Sequence, residues 1–295
     1  MSIWKHYLTP QSLKLAIECL SNSPGEPRLI AGGTDLLLEI GQGHLPPVDT
    51  LVDINQVPEM KCLEVREDTL FIGAAVPLSH ITGSKLVIEH AQALAEAAGL
   101  VGGPQVRNSA TLGGNVAHAL PAADGTISLV ALNTQVEIAN LDGVKRLPIL
   151  EVFLGPGKSS LDPHRDILVG FYISLKKKGQ ASAFSRVMRP QGVALPILNA
   201  SIWLERSWDR IVDIRIAYGP SGPIPKRATA VEEVLKNQPF NAKTLEMAYR
   251  QLVETVKFRT SPRRASSEYR LHLSQVLFEE VFEKAWQRAW KDQEA

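Results

Sequence analysis

Cysteine is nearly absent. Cys19 and Cys62 are the only two in 295 residues. Two thiols are too few for a four-thiolate iron–sulfur cluster within this chain. Cys19 falls in a helical pattern and Cys62 in a strand-like one, so both are expected to be buried, unbridged thiols. No run of about 18 apolar residues occurs, so no membrane-spanning helix is expected. The opening Met1-Ser2-Ile3-Trp4-Lys5-His6 lacks the basic-then-apolar layout of a signal peptide, and the cytoplasm is the expected compartment. Charge of one sign is not in excess either, with 32 Lys+Arg against 31 Asp+Glu. That balance argues against a nucleic-acid binder working through a global positive field. Lys176-Lys177-Lys178, and Arg259 with Arg263-Arg264, read as solvated basic runs. The seven histidines show no metal-ligand spacing.

The common phosphate motifs are also missing. Neither Gly-x-Gly-x-x-Gly nor Gly-x-x-x-x-Gly-Lys-Ser/Thr is present. Gly219-Pro220-Ser221-Gly222-Pro223 looks similar, but its prolines remove N–H donors, and it reads as a loop between a strand and a helix. A Gly-x-Ser-x-Gly nucleophile elbow is absent as well.

Two glycine pairs are present instead. Ala31-Gly32-Gly33-Thr34-Asp35-Leu36 follows the apolar run Arg28-Leu29-Ile30. Thr111-Leu112-Gly113-Gly114-Asn115 follows 80 residues further on, with Asp124 beyond it. Glycine lets backbone N–H groups close on an anion with no Cβ in the way. Two such segments suit a ligand with two neighbouring phosphates, such as a dinucleotide. Asp35 has a second reading, as the cap of the following helical turn.

The remaining pattern alternates strands and helices. Helices are expected at Pro10–Leu20, Leu86–Gly99, Thr126–Leu132, Ala228–Lys236, Ala242–Thr255 and Ser267–Trp290. A helical turn is expected from Asp35 to Ile40. Leu86, His90, Ala93, Leu94 and Ala97 share one helix side. In the last helix Tyr269, Leu273, Val276 or Leu277, and Phe282 or Ala285 are expected to face inward. Trp286 and Trp290 read as a packed pair. Strands are expected at Arg28–Ile30, Thr50–Ile54, Cys62–Arg66, Thr69–Gly73, Gln135–Asn140, Val144–Pro148 and Asp166–Leu175, and again at Ala183–Met188, Ile197–Glu205 and Ile211–Ala217. Composition changes at Lys176–Gln180. The fold class is therefore α+β, with domains at residues 1–178 and 179–295. The hydrophobic fraction of 44% suits two such cores.

Ala-Gly-Gly-Thr-Asp-Leu-Leu, Ile72-Gly73-Ala74-Ala75, Arg107-Asn108-Ser109-Ala110-Thr111-Leu112-Gly113-Gly114-Asn115 and the later Asp124 carry a resemblance. So do Ile224-Pro225-Lys226-Arg227-Ala228 and Ala265-Ser266-Ser267-Glu268-Tyr269-Arg270. Over essentially its whole length the chain resembles the FAD-binding medium subunit of molybdenum hydroxylases. That group includes the flavin subunits or domains of xanthine dehydrogenase, carbon monoxide dehydrogenase and 4-hydroxybenzoyl-CoA reductase. The resemblance implies an FAD-binding domain of the vanillyl-alcohol-oxidase (PCMH) type in two subdomains, about 1–55 and 56–178. A C-terminal domain with a three-stranded antiparallel sheet and helices would follow.

The resemblance also implies contacts. Leu29, Ile30, Ala31, Gly32, Gly33, Thr34, Asp35 and Leu36 would wrap the pyrophosphate, mostly through backbone N–H groups. Ala110, Thr111, Gly113, Gly114 and Asn115 would form the facing wall, with side-chain hydrogen bonds from Thr111 and Asn115. Asp124 would accept from hydroxyls at the adenosine end, Leu168 would pack on a ring, and His118 would stand close to the flavin. No catalytic acid–base pair and no metal ligands are implied. Some relatives carry a lysine near the flavin where this chain has Ser185, which leaves Arg186 or Arg189 as a candidate cation.

The implied function is electron transfer. A molybdenum-cofactor large subunit would oxidise the substrate, and the [2Fe–2S] clusters of a small subunit would relay electrons to FAD on this chain. NAD⁺ or a quinone would receive them. The alternatives are a stand-alone FAD-dependent oxidoreductase and a structural subunit without flavin. No nucleic-acid partner is expected.

Overall fold

The computed structural model describes residues 3–189, 195–262 and 264–294. The first unit is a parallel sheet of β1 (His6–Leu8), β2 (Pro27–Ile30) and β3 (Thr50–Asp53), in the order β1-β3-β2. Parallel neighbours need crossovers, and α1 (Leu13–Asn22) and α2 (Leu36–Gly41) supply them. Ser12 caps α1 by accepting from the Leu15 N–H, and Ala16 and Leu20 are its buried residues. β3 is central and buried throughout, as its Thr-Leu-Val-Asp sequence allows.

The second unit is an antiparallel sheet built from β4 (Leu63–Arg66) and β5 (Thr69–Gly73), with helices inserted before its later strands. These helices are α3 (Leu78–Gly83), α4 (Lys85–His90), α5 (Gln92–Leu100), α6 (Pro104–Ser109), α7 (Leu112–Ala117) and α8 (Asp124–Ala131). The hairpin β6 (Gln135–Asn140) and β7 (Gly143–Pro148) follows, then the short pair β8 (Phe153–Gly155) and β9 (Lys158–Ser159), then β10 (Ile167–Ser174). The sheet order is β4-β5-β10-β6-β7. β10 is its axis, buried from Ile167 to Ile173, which fits its near-continuous apolar run.

The third unit is an antiparallel sheet of β11 (Gln180–Met188), β12 (Pro196–Ser207) and β13 (Arg210–Gly219), extended by a two-residue β14 (Lys226–Arg227) at the β13 edge. α9 (Thr229–Leu235), α10 (Ala242–Thr255) and α11 (Ser267–Glu294) complete it. α11 buries Leu273, Leu277, Phe278, Val281, Phe282, Ala285, Trp286 and Ala289, an i, i+3, i+4 stripe against the sheet.

Several expectations need correction. The helix expected over Leu86–Gly99 is broken at Ala91, which has φ −144° and ψ 51°. No glycine or proline marks the break. Tertiary contacts hold it: His90 Nδ1 accepts from the Lys176 N–H, and Ala93 and Ala97 turn onto Phe184. Tyr269 faces solvent at 45% exposure, and Arg270 takes the inner place instead, whereas of Val276 and Leu277 it is Leu277 that lies inside. Cys19 and Cys62 are free but only half-buried. The Trp286–Trp290 pair is packed through a cation, with the Arg206 guanidinium 3.5 Å from one ring centroid and 4.5 Å from the other. Arg263 of the basic run lies outside the described residues.

Candidate functional site

β2 delivers the chain into the first glycine segment and α2 takes it away. Gly33 has φ +65°, a left-handed conformation that favours glycine. Gly32 has a different reason to be glycine. A Cβ there would overlap the Ser109 carbonyl oxygen and sit 2.8 Å from Ala110 Cα. The two glycine segments are thus brought together at Gly32 and Ser109–Ala110. Among the described residues, the backbone N–H groups of Gly32, Gly33, Thr34, Asp35 and Leu36 donate to no acceptor within the chain. Asp35 stands at the start of α2 but forms no capping hydrogen bond.

A polar clasp behind the segment sets its entry. Asn55 Nδ2 donates to the Ala31 carbonyl at 2.8 Å and to Asp53 Oδ1 at 2.7 Å. Tyr7 Oη donates to Asp53 Oδ2 at 2.7 Å. Desolvation, then the hydrogen bond and charge of Asp53, pushes the Tyr7 phenol from 10.0 up to about 12. Sequence reasoning missed these three residues. The legible signal was the Asp53-x-Asn55 turn at the end of β3, where the Asn55 N–H closes on Asp53 Oδ1 at 2.8 Å.

The second segment differs from expectation. Gly113 and Gly114 lie in α7, not in an open loop. The Gly113 N–H donates to the Ala74 carbonyl and the Asn115 N–H to the Thr111 carbonyl. The Gly114 N–H donates to Thr111 Oγ1 at 3.1 Å. These N–H groups are engaged within the protein and do not form a second anion cradle. Gly113 is needed for packing, since a Cβ would lie 2.6 Å from the Ala74 carbonyl oxygen. Asn115 Oδ1 accepts from the Thr126 N–H at 3.2 Å, which leaves its Nδ2 to donate elsewhere. His118 ends α7, with Nε2 3.7 Å from Glu39 Oε1 of α2, so it stands between the helices leaving the two segments.

Asp124 is placed differently from a free ribose acceptor. It is 4% exposed at the start of α8 and pairs with Arg186 of β11. Asn199 Nδ2 of β12 donates to its other oxygen at 2.6 Å. Burial pushes the Asp124 carboxyl above its ordinary value, against the opposing pull of Arg186 and Asn199. Arg186 is further held by the Leu100 carbonyl at 2.6 Å, while its buried Nε has no acceptor. Asn199 Oδ1 is likewise buried without a donor. Ser185 Oγ donates to Glu280 of α11 at 2.8 Å. Leu168 is 5% exposed within the core of the second sheet. Leu29 and Leu36 are half-buried, and Ile30 is buried beside Leu36 and Leu37. Ser185 and Arg186 also line an open groove of about 720 Å³ with Glu96, Leu100, Phe184 and Lys284.

Among the described residues, five N–H groups without an acceptor stand on one strand-to-helix turn that a neighbouring segment closes, and the turn is neither a Rossmann turn nor a P-loop. The residues present fit a flavin dinucleotide, whose pyrophosphate needs such donors. Residues 3–174 match the model described as the FAD binding domain in molybdopterin dehydrogenase, and residues 182–285 match the CO dehydrogenase flavoprotein C-terminal domain. The chain belongs to this family of FAD-binding flavoprotein subunits of molybdopterin-dependent oxidoreductases, and FAD is its cofactor. The xanthine dehydrogenase FAD-binding subunit of Escherichia coli O157:H7 is 32% identical over 278 residues, covering 93% of this chain and 94% of the relative. Carbon monoxide dehydrogenase from Hydrogenophaga pseudoflava superimposes with a TM-score of 0.89 at 25% identity, over 96% of this chain and 98% of that one. Quinoline 2-oxidoreductase from Pseudomonas putida 86 gives 0.88 at 26% identity, over 97% and 98%. The family resemblance and the fold class read from the sequence are borne out. Among the described residues no helix is long and apolar enough to cross a membrane.

Proposed function

We propose that this chain is the electron-transfer subunit of a molybdenum hydroxylase complex, passing electrons from [2Fe–2S] clusters of a small partner subunit, through FAD, to NAD⁺ or a quinone. A large partner subunit with the molybdenum cofactor carries out substrate oxidation. The free N–H groups from Gly32 to Leu36, backed by Ser109–Ala110, are the observation that carries the reading.

When bound, FAD supplies one- and two-electron exchange, and the protein supplies grip and orientation. Gly32, Gly33, Thr34, Asp35 and Leu36 hold the pyrophosphate through backbone N–H groups, with Leu29, Ile30 and Ala31 fixing the strand that presents them. Thr111, Gly113 and Gly114 hold the opposite wall at its distance from Ala74, and Ala110 meets Gly32. Asn115 offers its Nδ2 to the cofactor, and His118 closes the side between α2 and α7. Asp124 acts through the Arg186 and Asn199 contacts that seat the C-terminal domain on this wall. Leu168 gives an apolar floor. A division near residue 178 belongs to this reading, supported by the gap between the two family matches. A cytoplasmic location belongs to it too.

The test is the visible spectrum of the purified chain, followed by chromatography of what acid releases. Flavin bands with FAD released, and no hydroxylase turnover by the chain alone, are expected. A colourless protein that takes up no added FAD, or hydroxylation by this chain alone, overturns the proposal. Gly32→Ala gives the sharper control. Its Cβ forces the two segments apart, at a cost of about 1–3 kcal/mol. The flavin-to-protein ratio should fall in this variant, and an unchanged ratio counts against the cradle.

A further inference from the structure

The stretch leading into α11 carries guanidinium groups that the flavin reading does not use. Arg270, in the first turn of α11, is 1% exposed. Its Nη1 donates to the Arg259 carbonyl at 2.8 Å, and its buried Nε has no acceptor. Among the described residues, the charges that act on it are those of two more cations, Arg259 and Arg264. Burial first, then those two neighbours, holds Arg270 below the ordinary guanidinium value. Among the described residues no ion pair joins any of the three to a carboxylate.

The chain treats its other buried arginines differently. Arg186 has Asp124, and Arg206 has the rings of Trp286 and Trp290 with the Trp208 carbonyl. Arg270 has one carbonyl. A buried guanidinium with unused N–H groups is costly unless an anion meets it. Three of the first-turn N–H groups of α11 are engaged already, Ser267 with Thr260 Oγ1, Tyr269 with Ser266 Oγ and Arg270 with the Ser266 carbonyl. The attraction therefore comes from the guanidinium fork, whose spacing matches two oxygens of one oxyanion. Arg270 itself is buried, while Arg259 and Arg264 are exposed and form the rim. The cluster has a defined place in the fold. The Tyr218 Oη of β13 donates to the Ser274 carbonyl one turn along α11, and the Tyr218 ring meets Phe258, the neighbour of Arg259. Gly219, next to Tyr218, pairs with Asn199. The arginines thus lie at the end of the C-terminal sheet that meets Asp124.

We propose that Arg259, Arg264 and Arg270 form an oxyanion site that takes a phosphoryl group, either free phosphate or the phosphate end of a nucleotide. Isothermal titration calorimetry of the full chain with inorganic phosphate, pyrophosphate and ADP tests it, with flavin content recorded on every sample. Saturable binding is expected. ADP tighter than inorganic phosphate identifies a nucleotide as the source, and the reverse order identifies the free anion. The rim variant Arg259→Gln/Arg264→Gln and the inner variant Arg270→Lys should each weaken binding by about tenfold or more, with flavin content unchanged. The rim variant decides the matter if the inner one fails to fold, since its positions are exposed. No saturable binding by the wild type, equal affinity in the rim variant, or parallel loss of phosphate and flavin overturns the proposal.

Discussion

Single residues in this protein are chosen for what stands behind the cradle as much as for what lines it. Gly32 and Gly33 were visible in the sequence as a pair, yet they answer to different demands, close approach and a left-handed backbone. The Tyr7–Asp53–Asn55 clasp was not visible, because its members lie on β1 and at the end of β3 and meet only when the parallel sheet forms. Tyr7 ionises in the folded chain at about 12 instead of 10.0. A phenol with a raised folded value contributes stability that is full below the unfolded value and is lost as pH rises through the folded one. The clasp should therefore hold up to about pH 10 and fail by about pH 12. The difference in ultraviolet phenolate titration between wild type and Tyr7→Phe isolates this group. Below that window Tyr7→Phe should cost about 1 kcal/mol in chemical denaturation. A difference titration centred near the ordinary phenol value counts against the clasp.

At the scale of elements, the second glycine segment is the instructive case. Its Gly-Gly sequence resembles that of the first segment, and both were read as anion loops. The structure makes one a set of free donors and the other a helix start whose donors are satisfied. Thr111 decides the difference, since its hydroxyl caps α7 by accepting from Gly114. Thr111→Val should destabilise the protein by about 1 kcal/mol, while Thr111→Ser should be near neutral. Thermal unfolding of the two variants measures this, and equal melting points remove the capping role. α11 gives a similar lesson. Its periodicity placed the inner stripe, but a phase error put Tyr269 inside where Arg270 belongs. Apolar spacing sets which positions share a face, and a buried cation among them breaks the pattern.

At the scale of the whole molecule, the two halves meet through α5, α8 and β11. Ser182 Oγ accepts from the Ala93 N–H at 3.1 Å, Glu96 accepts from the Phe184 N–H at 2.8 Å, and Arg288 pairs with Glu96. Asp124 and Arg186, held with Asn199, form a more deeply buried ion pair between the halves than Glu96 and Arg288. Removing one partner of such a pair leaves a buried charge, so Asp124→Asn and Arg186→Met should each cost about 3–5 kcal/mol. The double variant should recover much of that loss. Urea unfolding of all four proteins measures the coupling, and simple additivity of the two losses means that the pair is not a unit.

The sequence by itself determined the class of elements, the family, and the first glycine turn. Those depend on local chemistry: periodicity of apolar residues, the freedom of glycine, and motif residues close together in the chain. Only the tertiary structure decided which N–H groups stay free, that Asp124 finds Arg186 and Asn199, and that Arg270 is buried among cations. Each of these rests on contacts between residues far apart in sequence or on burial by several elements at once, and neither is written in any local pattern.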